Sequence, residues 1–141
     1  MNELTLGDAA LDRDHARLHD LSEELLVAAP ARYAHVVDEL RIHARAHFSA
    51  EDADLVDMKD GNAKCHLDEH QAVLKSLDEV HALLVGDEHG PEAKERVVRS
   101  LAQELLRWLP HHVQEMDAGV ATWRSRQRFG GAPVQITRRR D

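Results

Sequence analysis

The chain has 141 residues and a formal charge of −8, with 43% hydrophobic but only 4% aromatic residues. That is the size of one domain able to bury roughly two-thirds of its unfolded surface. An acidic body excludes nucleic acid as a main partner, because phosphate contacts need a basic face.

The longest apolar run, residues 25–29, is too short for a bilayer. The only cysteine, Cys65, rules out an internal disulfide framework and fits a reducing compartment. The first residues carry neither a basic region nor an apolar core of signal-peptide length, so a soluble, cytoplasmic protein is expected. Ala, Leu, Val, Glu, Asp, Arg and His dominate, and β-branched and aromatic runs are missing, which favours helices over strands.

A first helix is predicted over residues 8–28, capped by Asp8 and closed by Pro30, with Leu11, His15, Leu18, Leu21 or Ser22, and Leu25 on one face. A second, over 31–59, aligns Val36, Leu40, Ala44, His47, Glu51, Leu55 and Met58; Asp60-Gly61-Asn62 should end it in the left-handed conformation that Gly and Asn accept. A third, over 63–85, carries His66, His70, Val73, Leu74, Leu77, His81 and Leu84. Gly86 to Pro91 is the next break, and Pro91 suits the first turn of a fourth helix with Val98, Leu101, Leu105, Trp108 and His112 inward.

Pro110 removes a backbone donor to the Leu106 carbonyl, so a kink is expected near 106–110. Helical patterning stops after Trp123. Residues 1–125 are therefore expected to form one all-α, up-down-up-down four-helix bundle, and 126–141 a mobile basic tail ending in Arg138 to Arg140. No second apolar stripe stands out, so a monomer is expected.

Each helix delivers ligand-type side chains to its inner stripe: His15; His47 and Glu51; His66 and His70; His112 and Asp117. Histidines four apart point the same way on a helix, but with 11 His in the chain roughly one such pair arises by chance. His15/His19, His43/His47 and His66/His70 are all candidates, so the weight lies in the full set. Five imidazoles and two carboxylates on apolar faces are costly to bury unless a cation compensates them. They are too many for one tetrahedral zinc, and they suit two six-coordinate ions in the core that share carboxylates. A nitrogen and oxygen ligand set without thiolate points to iron, then manganese.

The pattern resembles hemerythrin and the bacterial hemerythrins. The resemblance spans residues 8–123. It rests on a first-helix His followed by Leu18, on His47-Phe48-x-x-Glu51, on His66-x-x-x-His70 after a fifteen-residue interval, and on Trp108-Leu109-x-x-His112-Val113-x-x-x-Asp117. It implies two iron ions, one on His66, His70 and His112 and the other on His15 and His47, bridged by Glu51, Asp117 and an oxo or hydroxo group. Dioxygen would bind at the two-histidine iron, against an apolar wall of Phe48, Trp108, Leu109 and Val113. Asp12, His15 and Leu18 reproduce the family's spacing, which favours His15 over His19.

The chain departs from the family in having no Trp before Trp108, in Asp14 rather than Gln before His15, and in a longer third loop. Asp117 also lies about 140° from His112 on an ideal helix, which demands a local distortion. A rival reading takes His66-Leu-Asp-Glu69-His70 as an inverted zinc-protease motif with Glu69 as base. It needs a larger substrate domain and leaves His15, His47 and Asp117 unexplained. His19, His35, His43, His81, His89 and His111 are read as spare. The function implied is reversible dioxygen binding for storage, transport or scavenging, without catalytic turnover. An enzyme reducing peroxide or nitric oxide, or an oxygen or redox sensor, is the alternative on the same site.

Overall fold

The computed structural model describes residues 4–59, 61 and 63–128, and every regular element among them is helical. The elements are α1 (Ala9–Val27), a 3-10 turn (Pro30–Arg32), α2 (Tyr33–Met58), α3 (Ala63–Val85), α4 (Pro91–His112), a π-helical segment (Val113–Asp117) and α5 (Ala118–Arg128). α1 packs on α2, α2 on α3, α3 on α4 and α4 back on α1, so the four long helices form the sides of an up-down-up-down bundle. No helix among the described residues is long and apolar enough to cross a membrane.

Local chemistry explains where the helices begin. Asp8 caps α1, its Oδ1 accepting the Leu11 N–H at 3.0 Å. Asp12, one turn in, accepts the N–H of Leu6 at 2.7 Å and of Gly7 at 3.1 Å, which folds the preceding arm back onto the helix. Pro91 opens α4 after Gly90. Lys94 then reaches back to the carbonyls of Leu84 and Gly86, both at 3.0 Å, and satisfies acceptors left open at the end of α3.

Two sequence expectations need correction, the turn after α2 and the end of the last helix. The left-handed residue after α2 is Lys59, with φ 54°, which comes before the expected Gly61; Asp60 and Asn62 lie outside the described residues. α4 stays helical through residues 106–110. The departure from α-helical bonding comes later, where the Ala118 N–H reaches the Val113 carbonyl five residues back. The helix also continues past Trp123 to Arg128. Arg124 holds it there, donating from Nε to Asp54 Oδ2 at 2.6 Å with Nη1 3.6 Å from Asp8 Oδ1, and Arg128 donates to Asp8 Oδ2 at 3.4 Å. The expected tail from residue 126 therefore begins inside α5, and residues 129–141 lie outside the described ones.

The core has two apolar parts. The larger includes Leu21, Leu25, Val36, Val37, Leu40, Leu77, Val98 and Leu101; the smaller is Leu11, Leu55, Val120 and Ala121. Burying each large aliphatic side chain contributes about 1.5–3 kcal/mol. Along each helix the register changes from one part to the other across polar residues: His15 lies between Leu11 and Leu18, Glu51 between Phe48 and Leu55, and Asp117 between Val113 and Val120.

Candidate metal centre

All seven residues singled out from the sequence meet in this polar layer. His15, Glu51, His70 and Asp117 are fully buried, and His47, His66 and His112 nearly so. They form two groups that could each hold an ion: Glu51, His66, His70, His112 and Asp117, and then His15, His47, Glu51 and Asp117. The two carboxylates belong to both.

The wide turn at Val113–Asp117 makes this possible. Five residues overshoot one α-helical turn by about 140°, whereas the larger π-helical turn brings His112 and Asp117 to the same side. Asp117 then faces both groups. Its Oδ1 is 2.8 Å from His66 Nε2 and 3.2 Å from His112 Nε2, while its Oδ2 is 2.9 Å from His15 Nε2. Glu51 Oε1 lies 3.1 Å from His70 Nε2, 3.6 Å from His47 Nε2 and 3.8 Å from His66 Nε2.

The donor atoms fit metal ions better than they fit one another. His112 Nε2 stands 3.2 Å from His66 Nε2 and 3.3 Å from His70 Nε2. Nitrogens about 2.1 Å from one ion stand about 3.0 Å apart at right angles and about 3.4 Å apart at tetrahedral angles. Both oxygens of Glu51 have no hydrogen-bond partner despite complete burial. His15 Nε2 stands 2.9 Å from Asp117 Oδ2, so this ring faces a carboxylate that both groups share. Orphaned buried acceptors of this kind are expensive, and a cation between them removes the penalty.

The charges are strongly coupled. Burial alone would raise the Asp117 carboxyl, but the imidazoles of His112, His15 and His66 around it hold it far below the usual aspartate range. Burial opposes a charge on His15, yet Asp117 and then Glu51 outweigh it and raise that imidazole. On His47 burial prevails over the attraction of Glu51 and Asp14, and the ring favours its neutral form.

Three carboxylates that the sequence reading did not assign to the site hold the far nitrogens of these rings. Asp14 Oδ2 lies 2.9 Å from His47 Nδ1, Asp52 Oδ1 lies 2.7 Å from His70 Nδ1, and Glu69 Oε1 lies 2.8 Å from His112 Nδ1. The same Glu69 oxygen accepts the Trp108 indole N–H at 3.1 Å. Glu69 is thereby committed away from His66 and His70, which does not suit the free general base of the protease reading. The available signal was adjacency, since each carboxylate neighbours a cluster residue in the chain.

The spare histidines belong to neither buried group, although His43 stacks on His47 with ring centroids 6.4 Å apart. His19 is 36% exposed and faces Asp20 and Glu23. His43 Nε2 lies 3.1 Å from the Asp14 carbonyl, and His111 sits in solvent near Glu115.

An apolar cavity of about 10 Å³, room for one water-sized molecule, is lined by none of the seven donor residues but by neighbours of theirs. Phe48, Trp108 and Leu109 line it with Leu18, Leu40 and Leu105, whereas Val113 is buried in the same core without lining it. Phe48 stacks on His70 with ring centroids 4.0 Å apart, and Trp108 on His112 at 4.3 Å. Ser22 at the wall donates its hydroxyl to the Leu18 carbonyl at 2.8 Å.

A four-helix bundle whose core gathers histidines and shared carboxylates from every helix defines a class of helical metal-binding proteins. Within that class the chain belongs to the hemerythrin family: residues 6–123 match the hemerythrin HHE cation binding domain. It is also 31% identical over 120 residues to a bacteriohemerythrin of Ralstonia nicotianae, across 85% of this chain and 83% of that protein. No solved structure gives a significant match.

Proposed function

We propose that this chain binds dioxygen reversibly at a pair of iron ions, as an oxygen store, carrier or scavenger in the cytoplasm rather than as an enzyme. His66, His70 and His112 would hold one ion, His15 and His47 the other, with Glu51 and Asp117 shared. Family membership and the name of the Ralstonia relative support this reading. So do the thiolate-free donor set and the two Asp117 oxygens aimed at opposite groups. A bound iron pair would supply two electrons and an open coordination position to dioxygen.

The chain's own residues supply orientation and dryness. Carboxylates fix the rings of His47, His70 and His112, and the aromatic faces of Phe48 and Trp108 cover two of them. The observation that carries the oxygen-binding reading is the cavity. Its Ser22 hydroxyl is committed to a carbonyl and its Trp108 indole to Glu69, so neither delivers a proton to a small molecule held there. An enzyme that reduces peroxide or nitric oxide needs such a proton. The free, exposed thiol of Cys65 supports a reducing compartment, and Val27, Ile42, Val56 and Val85, exposed apolar residues spread over three helices, support a monomer.

The test is anaerobic loading with two equivalents of ferrous iron per chain, followed by alternating air and argon. A visible absorption band that returns in every cycle supports reversible binding. A band that appears once and decays to an inert ferric form moves the assignment to the enzyme or the sensor.

A further inference from the structure

Asp14, Asp52 and Glu69 form a series that follows the bundle round. Asp14 sits beside His15 on α1 but holds His47 of α2; Asp52 sits beside Glu51 on α2 but holds His70 of α3; Glu69 sits beside His70 on α3 but holds His112 of α4. Adjacent helical residues point about 100° apart, so a residue next to an inward one lies on the flank and faces the neighbouring helix. Helices α1, α2 and α3 thus each offer one side chain to the centre and an adjacent one to a ring of the following helix.

We propose that these three carboxylates are positioning residues that set the metal affinity of the two halves of the centre separately. Asp14 acts through His47 on the two-histidine group. Asp52 and Glu69 act through His70 and His112 on the three-histidine group. The inference rests on the two-ion reading above.

The physical argument is direct. A carboxylate accepting Nδ1–H fixes the tautomer that leaves Nε2 free as a ligand, locks the ring's orientation and raises its basicity. The aromatic faces stacked on His70 and His112 leave those rings little other freedom, and Glu69 also holds the Trp108 indole against His112. The three carboxylate side chains are 25%, 29% and 38% exposed, so replacing them opens no cavity in the core. Ring control is therefore separable from packing.

The experiment is a stepwise titration with cobalt(II) of the full chain and of Asp14→Ala, Asp52→Ala and Glu69→Ala. It is read by visible absorption and by the exchangeable Nδ1–H signals that the paramagnetic ion shifts in proton NMR. Asp14→Ala should weaken one cobalt equivalent about 10- to 100-fold and remove the His47 signal. Asp52→Ala and Glu69→Ala should weaken the other equivalent by a similar factor and remove the signals of His70 and His112. Asp14→Asn, Asp52→Asn and Glu69→Gln should restore the signals and part of the affinity, because an amide oxygen still accepts the N–H. Two cobalt ions in the unsubstituted chain with all three alanine variants within twofold of it would overturn the inference and leave the two-ion reading standing. Equal weakening of both equivalents in every variant would also overturn it, as the mark of general loosening. An unsubstituted chain that takes up no cobalt overturns the two-ion reading and this inference together.

Discussion

The same four helices build two unlike layers. In one, Leu21, Leu25, Val36, Val37 and Leu40 are completely buried among other aliphatic side chains and need nothing from outside the chain. In the other, five imidazoles and two carboxylates are buried as deeply, with both Glu51 oxygens left unpartnered. The contrast separates two tasks: the aliphatic layer supplies the folding free energy, and the polar layer is carried as a cost that a cation relieves.

The largest expected effect tests that division directly. Metal binding to a folded site adds to folding stability, by about 4 kcal/mol per ion when free metal exceeds its dissociation constant a thousandfold. Thermal unfolding should shift upward on ferrous loading under anaerobic conditions and fall back with a chelator. Unchanged midpoints would break the comparison.

Next comes the aliphatic layer. Leu40→Ala should cost about 2–5 kcal/mol in chemical unfolding, by the same amount with and without metal. A cost that appears only in the metal-loaded protein would show that the layers are not independent.

Glu51→Gln sharpens the contrast because its sign should reverse between the two forms. It removes a buried charge whose oxygens have no hydrogen bond, so the metal-free protein should gain about 1–3 kcal/mol while metal uptake falls. Destabilisation of the metal-free form would mean that the carboxylate is already compensated within the chain.

The smallest effect lies outside both layers. Burial pushes the Asp8 carboxyl up, but the Leu11 N–H and the guanidinium groups of Arg124 and Arg128 prevail and hold it below the ordinary value of 3.8. A carboxyl lowered on folding contributes stability above pH 3.8, and that contribution disappears as the pH falls through its lower folded value. Asp8→Asn, which can still cap α1, should cost about 1 kcal/mol or less at neutral pH and flatten the acid slope of stability. An unchanged slope would remove the clamp from the account.

Most of the bundle was legible because apolar residues recur at helical spacing and the breaks are chemically marked. Residues 63–85 were bounded correctly from Gly61 on one side and Gly86 to Pro91 on the other. Six of the seven clustered residues were legible on the inner stripes of their helices, whereas Asp117, about 140° from His112 on an ideal helix, was legible through the family resemblance. What escaped the sequence reading depends on partners distant in the chain. Arg-Ser-Arg-Gln-Arg has no apolar period, and α5 holds there because Arg124 meets Asp54, seventy residues earlier. Asp14, Asp52 and Glu69 resemble ordinary surface acids until the neighbouring helix supplies the ring. The left-handed turn at Lys59 escaped for another reason, since composition favours Gly or Asn there and the chain turns two residues before Gly61.

The wide turn at Val113–Asp117 also sets the phase of everything after it. An ordinary α-helical continuation would rotate α5 by about 100°. Val120 and Ala121 would leave Leu11 and Leu55, and Arg124 would swing away from Asp54 and Asp8. The same extra residue that turns Asp117 toward the histidines latches the last helix onto the start of the first. A one-residue deletion here would therefore misalign the centre and unfasten the two described ends of the chain together.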